Sequence, residues 1–166
     1  MSSETGDLLG TLAMQRSALR RTVRDLDDEQ ASRRTTVSEL CLGGIIKHVA
    51  SVEGWWVRFI LEGPGAMGPM DEEARESHAR SFRMLEGETL AGILNGYEEV
   101  AARTAQVVSG LEDLNHSQEL PPAPWFAPGT RWSARRVLLH IIAETAQHAG
   151  HADIIREALD GAKSMA

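Results

Sequence analysis

The stretch SARRVLLHIIAETAQHAGHADIIREALDG, residues 133–161, decides the fold. Ser133 is a typical N-cap and Gly161 a typical residue just beyond a helix end, so one helix is predicted to run from about Ser133 to Asp160. At about 1.5 Å per residue it is roughly 40 Å long. Its apolar residues recur at helical spacing and mark the inward face. That face is formed by Leu138, Ile141, Thr145, Ala152, Ile155 and Leu159.

Three more amphipathic helices are predicted upstream. They span about Thr5 to Glu29, Ser38 to Leu61 and Glu88 to Gly110, with Ser38 or Thr36 as the N-cap of the second. Apolar stripes of this length must bury one another, and a four-helix bundle is the simplest arrangement that does so. The sequence therefore predicts an all-α protein, one four-helix bundle domain over residues 1–166 with long crossover connections.

Two irregular segments form those connections. Residues 62–88 open with a Gly/Pro loop and are predicted to contain a short helix around Asp71 to Met84. Residues 112–132 contain four prolines, which prevents a helix and predicts a semi-rigid cover.

Large aromatic side chains stand in the second helix and in the proline-rich segment. Trp55 and Trp56 are expected to pack between helices. The aromatic residues of the later segment are expected to seal an open end of the bundle or, alternatively, to line a pocket mouth; they are Trp125, Phe126 and Trp132.

Composition excludes some functions. The formal net charge of −7 argues against a nucleic-acid partner, because such a partner requires many basic contacts to phosphates. No stretch approaches the roughly 18 apolar residues needed to span a membrane, and the N-terminus does not read as a signal peptide. The single cysteine, Cys41, suits a reducing compartment. A cytoplasmic protein without membrane or nucleic-acid partners is expected.

Polar side chains stand at the border of two apolar faces. Glu144 and His148 lie one turn apart beside the buried stripe of the last helix, and His140 and His151 lie farther round. His48 has a similar border position on the second helix. Two side chains at i and i+4 and an imidazole from a facing helix can hold a divalent ion, as in catalytic zinc sites. Boundary residues that only hydrogen-bond to one another are the alternative.

Glu53 falls inside the apolar face of the second helix. A buried carboxylate needs a partner, and Arg16, at the margin of the first helix's apolar face, is the candidate. A structural Arg16–Glu53 pair is therefore predicted. The alternative is that Glu53 acts as an acid or base.

The segments GGIIKHVASVEGWW (residues 43–56) and RWSARRVLLHIIAETAQHAGHADIIREALDG (residues 131–161) resemble the DinB-like superfamily of four-helix bundles. The likeness covers nearly the whole chain and is greatest with an actinobacterial branch. The superfamily includes bacillithiol and mycothiol S-transferases and the mycothiol-dependent maleylpyruvate isomerase. Its members often bind a divalent metal and often pair as dimers.

The resemblance implies that His48, Glu144 and His148 are the metal ligands. Most relatives have histidine at the position of Glu144, whereas the maleylpyruvate isomerase branch has glutamate there. His151 is implied to be a residue beside the ligands or a substrate contact. A homodimer is expected.

These expectations lead to a hypothesis of a metal-dependent thiol S-transferase. A low-molecular-weight thiol such as mycothiol would be the co-substrate, bound to the metal as thiolate, and a small molecule the other substrate. His151 or His140 would assist proton transfer. Zinc or nickel is the first candidate for the ion, with iron or manganese as alternatives. A metal-dependent hydrolase, a non-catalytic metal-binding or stress-response dimer, and a bundle with no metal remain alternatives.

Overall fold

The computed structural model describes residues 3–68 and 71–164. In this part of the chain, the helices are α1 (Ser3–Arg21), α2 (Asp28–Ser32), α3 (Leu42–Glu62), α4 (Glu72–Ser81), α5 (Leu90–Gly110) and α6 (Ala134–Asp160). A 3-10 helix, Gly63–Met67, directly follows α3. Strands β1 (Ser117–Glu119) and β2 (Arg131–Ser133) pair antiparallel, with Gln118 opposite Trp132.

The four long helices α1, α3, α5 and α6 form a bundle. Helix α6 packs against α1 and α3, and α3 also packs against α5, while α1 and α5 touch less extensively. Helices α3 and α6 run antiparallel, because His48 faces His148 and Trp56 faces His140. The predicted all-α bundle with long crossover connections is confirmed.

The core consists of two apolar clusters, one toward each end of the bundle. The first joins the C-terminal half of α3 to the N-terminal half of α6 and includes Leu12, Trp56, Phe59, Ile60, Val137, Leu138 and Ile141. The second joins the opposite halves of these helices and includes Leu19, Leu42, Ile45, Ile46, Val49, Tyr97, Ala152 and Ile155. Because the clusters meet near the middle of α3 and α6, polar side chains at that level lie between two apolar layers.

Arg16 and Glu53 form an interior ion pair at this middle level. The Arg16 guanidinium donates two hydrogen bonds to the Glu53 carboxylate, one of them at 3.1 Å from Nε, and the Thr104 hydroxyl donates a third. Glu53 is 0% exposed. The predicted pair is confirmed, and the position of Glu53 inside it does not support the alternative of an acid or base.

The bounds of α6 agree with the prediction. Ser133 Oγ accepts a hydrogen bond from Arg136 N at 3.2 Å, and Gly161 is left-handed with φ of 78°. Helix α5 begins two residues later than predicted, since Thr89 is its N-cap and accepts a hydrogen bond from Gly92 N. Both helices therefore begin at a residue whose side chain caps them, and α6 also ends at a left-handed glycine.

Helix α1 is shorter than predicted, since it ends at Arg21 and not near Glu29. Asp25 takes a left-handed conformation with φ of 62°, and the Arg156 side chain donates hydrogen bonds to the carbonyls of Thr22 and Arg24. Val23 lies beyond the helix end but is still buried in the core. The apolar pattern therefore continues past Arg21, and this is why the sequence predicts a longer helix.

Helix α3 begins at Leu42 and not at Ser38 as predicted. Thr36 Oγ1 accepts from Ser38 N, and Ser38 Oγ accepts from Leu40 N, so these side chains stabilise turns before the helix. The N-cap residue is Cys41, which makes no side-chain capping hydrogen bond.

The connections agree in part with the prediction. Helix α4 is present but occupies only Glu72–Ser81, with Asp71 as N-cap, and residues 69–70 of the Gly/Pro loop lie outside the described residues. Residues 112–132 form no helix, as expected, but they include β1 and most of β2, which the sequence analysis did not predict.

The expectation for the aromatic residues is confirmed for some and wrong for others. Trp56, Phe126 and Trp132 pack against the first apolar cluster. Trp55 is 39% exposed and Trp125 is 65% exposed, so neither is fully enclosed. In each case the adjacent aromatic residue, Trp56 or Phe126, makes the contact with the first apolar cluster instead.

Candidate metal centre

Two of the proposed ligands stand side by side on α6. Glu144 and His148 are one turn apart, and Glu144 Oε2 lies 3.7 Å from His148 Nε2. Both belong to the regular interior of the helix, so their spacing is set by helical geometry.

The third proposed ligand reaches them from α3. The imidazole rings of His48 and His148 lie with centroids 5.0 Å apart at an interplanar angle of 70°. His48, Glu144 and His148 each offer one ligand atom, and these three atoms lie within 4.8 Å of one another. The structure thus brings together the three side chains grouped in the sequence analysis.

His151 and His140 flank this cluster along α6. His151 Nδ1 is 3.4 Å from His148 Nδ1. His140 Nε2 is 3.9 Å from Glu144 Oε1, and its ring contacts the edges of Trp56 and Trp132 at centroid distances of 5.0 and 5.2 Å. His151 therefore contacts a proposed ligand on one side of the cluster, and His140 contacts another on the opposite side.

Three further side chains come from the first crossover connection and were missed by the sequence analysis. Ser81 Oγ lies 2.9 Å from His48 Nδ1, the Phe82 ring stacks on the His48 ring at 3.7 Å, and the His78 ring meets it edge-on at 5.1 Å. The chain has six histidines, and five of them surround this site. The sixth, His116, contacts Gln118 beside β1.

The Gly43–Gly44 pair was the signal that could have revealed this contact. A Cβ at Gly44 would lie 1.9 Å from the Phe82 carbonyl oxygen, and one at Gly43 would lie 2.3 Å from Met84 Sδ. The backbone after α4 therefore lies directly on the first turn of α3, one turn before His48. The glycine pair signals a close backbone approach but does not identify its partner, because that segment is almost 40 residues away.

Burial favours the neutral form of three imidazoles of the site, those of His48, His140 and His148. Burial lowers the pKa of His48 to about 3, and positive charge on His148 or His78 would lower it further. Burial also lowers the pKa of His148 and of His140, although the Glu144 carboxylate opposes the effect on both. At neutral pH these rings therefore have the unprotonated nitrogen that a metal ligand requires.

The donor set fits a divalent cation. His48 is 3% and His148 9% exposed, and within the described residues no lysine or arginine pairs with the Glu144 carboxylate. A carboxylate beside neutral imidazoles leaves one negative charge without a counter-charge. Two imidazoles and one carboxylate are also the ligands of many catalytic zinc sites, which keep a further position open.

The three proposed ligands do not line the two cavities beside the bundle helices. A cavity of about 650 Å³ between α3 and α5 and one of about 720 Å³ between α1 and α5 contain none of the three proposed ligands. The side chains of Glu144 and His140 are 31% and 26% exposed, so the cluster reaches solvent at these two residues.

Comparison with known proteins identifies the family of this chain. A model of the mycothiol S-transferase family matches residues 7–161, which is nearly the whole chain. The chain therefore belongs to the mycothiol S-transferase family, and its resemblance to the DinB-like superfamily is confirmed. The comparison with curated proteins finds no match.

A solved structure supports the fold independently. The crystal structure of a conserved protein from Enterococcus faecalis is similar to this chain with a TM-score of 0.69 and 14% sequence identity. The similarity covers 98% of this chain and 99% of the other. At this identity the likeness shows the shared fold and nothing about activity. Among the helices that the structure describes, none is long and apolar enough to cross a membrane.

Proposed function

We propose that this protein is a metal-dependent thiol S-transferase that joins a low-molecular-weight thiol to a small electrophile. The observation that carries the proposal is the convergence of His48, Glu144 and His148, whose ligand atoms lie within 4.8 Å of one another. Membership of the mycothiol S-transferase family supports a thiol as substrate and makes mycothiol the first thiol to test.

The three side chains would hold one divalent ion, with zinc or nickel as the first candidates and iron or manganese as alternatives. When bound, such an ion supplies a thiolate nucleophile at neutral pH, because a thiol that coordinates it is deprotonated. His48 and His148 would bind the ion as neutral imidazoles, since burial lowers the pKa of each. Glu144 would contribute a negative charge that partly balances the divalent cation.

His140 and His151 are proposed to handle the proton that the thiol loses. His140 lies at the solvent-exposed side of the cluster, 3.9 Å from Glu144, and His151 lies 3.4 Å from His148. Transfer to an alkyl halide would form a sulfur–carbon bond and release halide, while the thiol proton passes to one of these imidazoles and then to water. Trp56 and Trp132 form the apolar wall beside His140.

A thiol-conjugation assay tests the proposal. Purified protein loaded with zinc or nickel is mixed with mycothiol and an alkyl-halide fluorophore, and formation of the thioether is measured. His48→Ala should lose the activity, whereas His116→Ala removes a histidine away from the site and should keep it. Activity of His48→Ala equal to that of the unmodified protein contradicts a metal-centred transferase.

Other outcomes separate the remaining functions. Metal binding without thioether formation would favour a non-catalytic metal-binding protein, and hydrolysis of an ester or amide without thiol would favour a hydrolase. We also propose a homodimer, which light scattering would test, and a cytoplasmic location, which suits the single cysteine.

A further inference from the structure

The crossover connection holds His48 from the side opposite α6. Ser81, the last residue of α4, places its hydroxyl oxygen 2.9 Å from His48 Nδ1. Phe82 stacks on the same imidazole with an interplanar angle of 20°. Stacking on Phe82 thus fixes the orientation of the His48 ring plane, and the contact with Ser81 occupies its Nδ1 atom.

The hydrogen bonds of Ser81 determine which nitrogen of His48 carries the proton. Ser81 Oγ also lies 2.6 Å from the carbonyl oxygen of His78, and a carbonyl can only accept a hydrogen bond. The single hydroxyl proton of Ser81 is therefore donated to that carbonyl. Toward His48 the Ser81 oxygen can then only accept, so Nδ1 of His48 must be the protonated nitrogen.

A neutral imidazole carries one N–H and one lone pair on its two nitrogens. With the proton on Nδ1, the lone pair of His48 is on Nε2. Since Nδ1 is occupied by Ser81, Nε2 is the nitrogen available to the cluster of Glu144 and His148. A metal-binding histidine whose other nitrogen donates to a fixed acceptor is oriented and locked in one tautomer.

The position of Ser81 is itself set by backbone packing. The Phe82 carbonyl lies where a side chain at Gly44 would project, and Gly44 is one turn before His48 on α3. Because the contact involves main-chain atoms of residues 82 and 83, it does not depend on a flexible side chain. This backbone contact therefore fixes the position of Ser81 relative to the His48 ring.

We propose that Ser81 is a positioning residue that sets His48 in the Nδ1–H tautomer and so presents Nε2 to the divalent ion. Its consequence for metal affinity rests on the proposed function. The tautomer itself is a property of the metal-free chain, so the two can be tested separately.

Long-range proton–nitrogen NMR spectra of the metal-free protein test the tautomer directly. The His48 signals are assigned by their loss in His48→Gln. The unmodified protein and Ser81→Thr, which keeps the hydroxyl, should show the Nδ1–H form. Ser81→Ala should shift His48 toward the Nε2–H form or a mixture. An Nε2–H form in the unmodified protein, or an unchanged tautomer in Ser81→Ala, overturns the proposal.

Competition between the protein and a chelator for zinc gives the second readout. Ser81→Ala should bind zinc about 10- to 100-fold more weakly, as expected for loss of a partner that orients a ligand. Ser81→Thr should bind zinc within a few-fold of the unmodified protein. Ser77→Ala, which removes an exposed hydroxyl from the same helix, is the matched control and should have no effect.

The two ideas fail in different ways. If the unmodified protein binds no zinc, the proposed function fails, and the NMR comparison still decides the role of Ser81. If zinc binds and Ser81→Ala binds it as tightly as the unmodified protein, the proposed function stands and the positioning role is overturned. Circular dichroism spectra that match among the variants establish that each chain is folded.

Discussion

His48 and His148 lie with their ring centroids 5.0 Å apart across the interface of α3 and α6, although 100 residues separate them in the chain. This approach depends on antiparallel packing of the two helices in the middle of the bundle. It places both imidazoles and the Glu144 carboxylate at the level where the two apolar clusters meet. The candidate site is therefore a product of the bundle and not of any one segment.

Glu144 should be replaceable by histidine but not by alanine. Glu144→Ala removes one of three donors and should weaken zinc binding by more than the roughly 10- to 100-fold that loss of an orienting partner costs. Glu144→His supplies an imidazole on the same turn and should recover most of the affinity, measured by chelator competition. Glu99→Ala removes an exposed carboxylate from α5 and serves as control. Equal affinities for Glu144→Ala and Glu99→Ala would exclude Glu144 as a ligand.

Arg16→Ala should destabilise the fold strongly because it leaves the buried Glu53 carboxylate without its counter-charge. The expected loss is about 3–5 kcal/mol in the free energy of unfolding, measured with urea. Arg20→Ala breaks an exposed pair with Glu98 and should cost about 0–1 kcal/mol. The double variant Arg16→Met with Glu53→Leu should recover much of the loss. A similar cost for Arg16→Ala and Arg20→Ala would contradict an interior role for the pair.

Metal-free protein should lose stability as the pH falls below 6.5. In the unfolded chain a histidine has a pKa near 6.5, whereas burial lowers the pKa of folded His48 to about 3 and also lowers that of His148 and His140. Between these values the unfolded chain binds protons that the folded chain does not, so stability must decrease with falling pH. The stability that the neutral histidines contribute is fully present well above pH 6.5. It is lost progressively as the pH falls, in the case of His48 down to about pH 3.

Urea unfolding at several pH values between about 7.5 and about 5.5 measures this effect, because ordinary carboxylates are almost fully ionised over this range. Each neutral buried histidine contributes a slope of at most about 1.4 kcal/mol per pH unit. His48→Gln should show a shallower slope than the unmodified protein, while His116→Gln should not. Identical slopes for all three proteins would show that His48 is not held neutral by the fold.

Gly44→Ala should displace the crossover connection from α3. The added methyl group would lie 1.9 Å from the Phe82 carbonyl oxygen, so residues 82–84 must move. We expect a loss of about 1–3 kcal/mol in the free energy of unfolding, typical of overpacking, together with weaker zinc binding. Gly96→Ala has open space around the new methyl group and should instead stabilise α5 by roughly 0.5–1 kcal/mol. Equal effects of the two substitutions would contradict the close approach.

Local patterns were sufficient to predict the elements that begin and end with their own capping residues. Ser133 and Gly161 bound α6 in the sequence as they do in the structure. The Arg16–Glu53 pair was also predictable, because a carboxylate inside an apolar stripe requires a partner and Arg16 was at a suitable border.

Long-range contacts decided the features that the sequence did not predict. The end of α1 depends on Arg156, which is more than 130 residues away from the carbonyls it binds. The contacts of Ser81 and Phe82 with His48 depend on how the crossover connection folds back on α3. Helical periodicity carries no information about either, because each joins segments whose spacing along the chain is arbitrary.

Elemental analysis of protein purified without a histidine tag tests the central claim most directly. The unmodified protein, His48→Ala and the control His116→Ala are dialysed against a mixture of zinc, nickel, iron and manganese, and the metal that stays bound is counted. We predict close to one divalent ion per chain in the unmodified protein and in His116→Ala, and little or none in His48→Ala. An unmodified protein that retains no metal, or a His48→Ala variant that retains as much as the unmodified protein, would contradict the account.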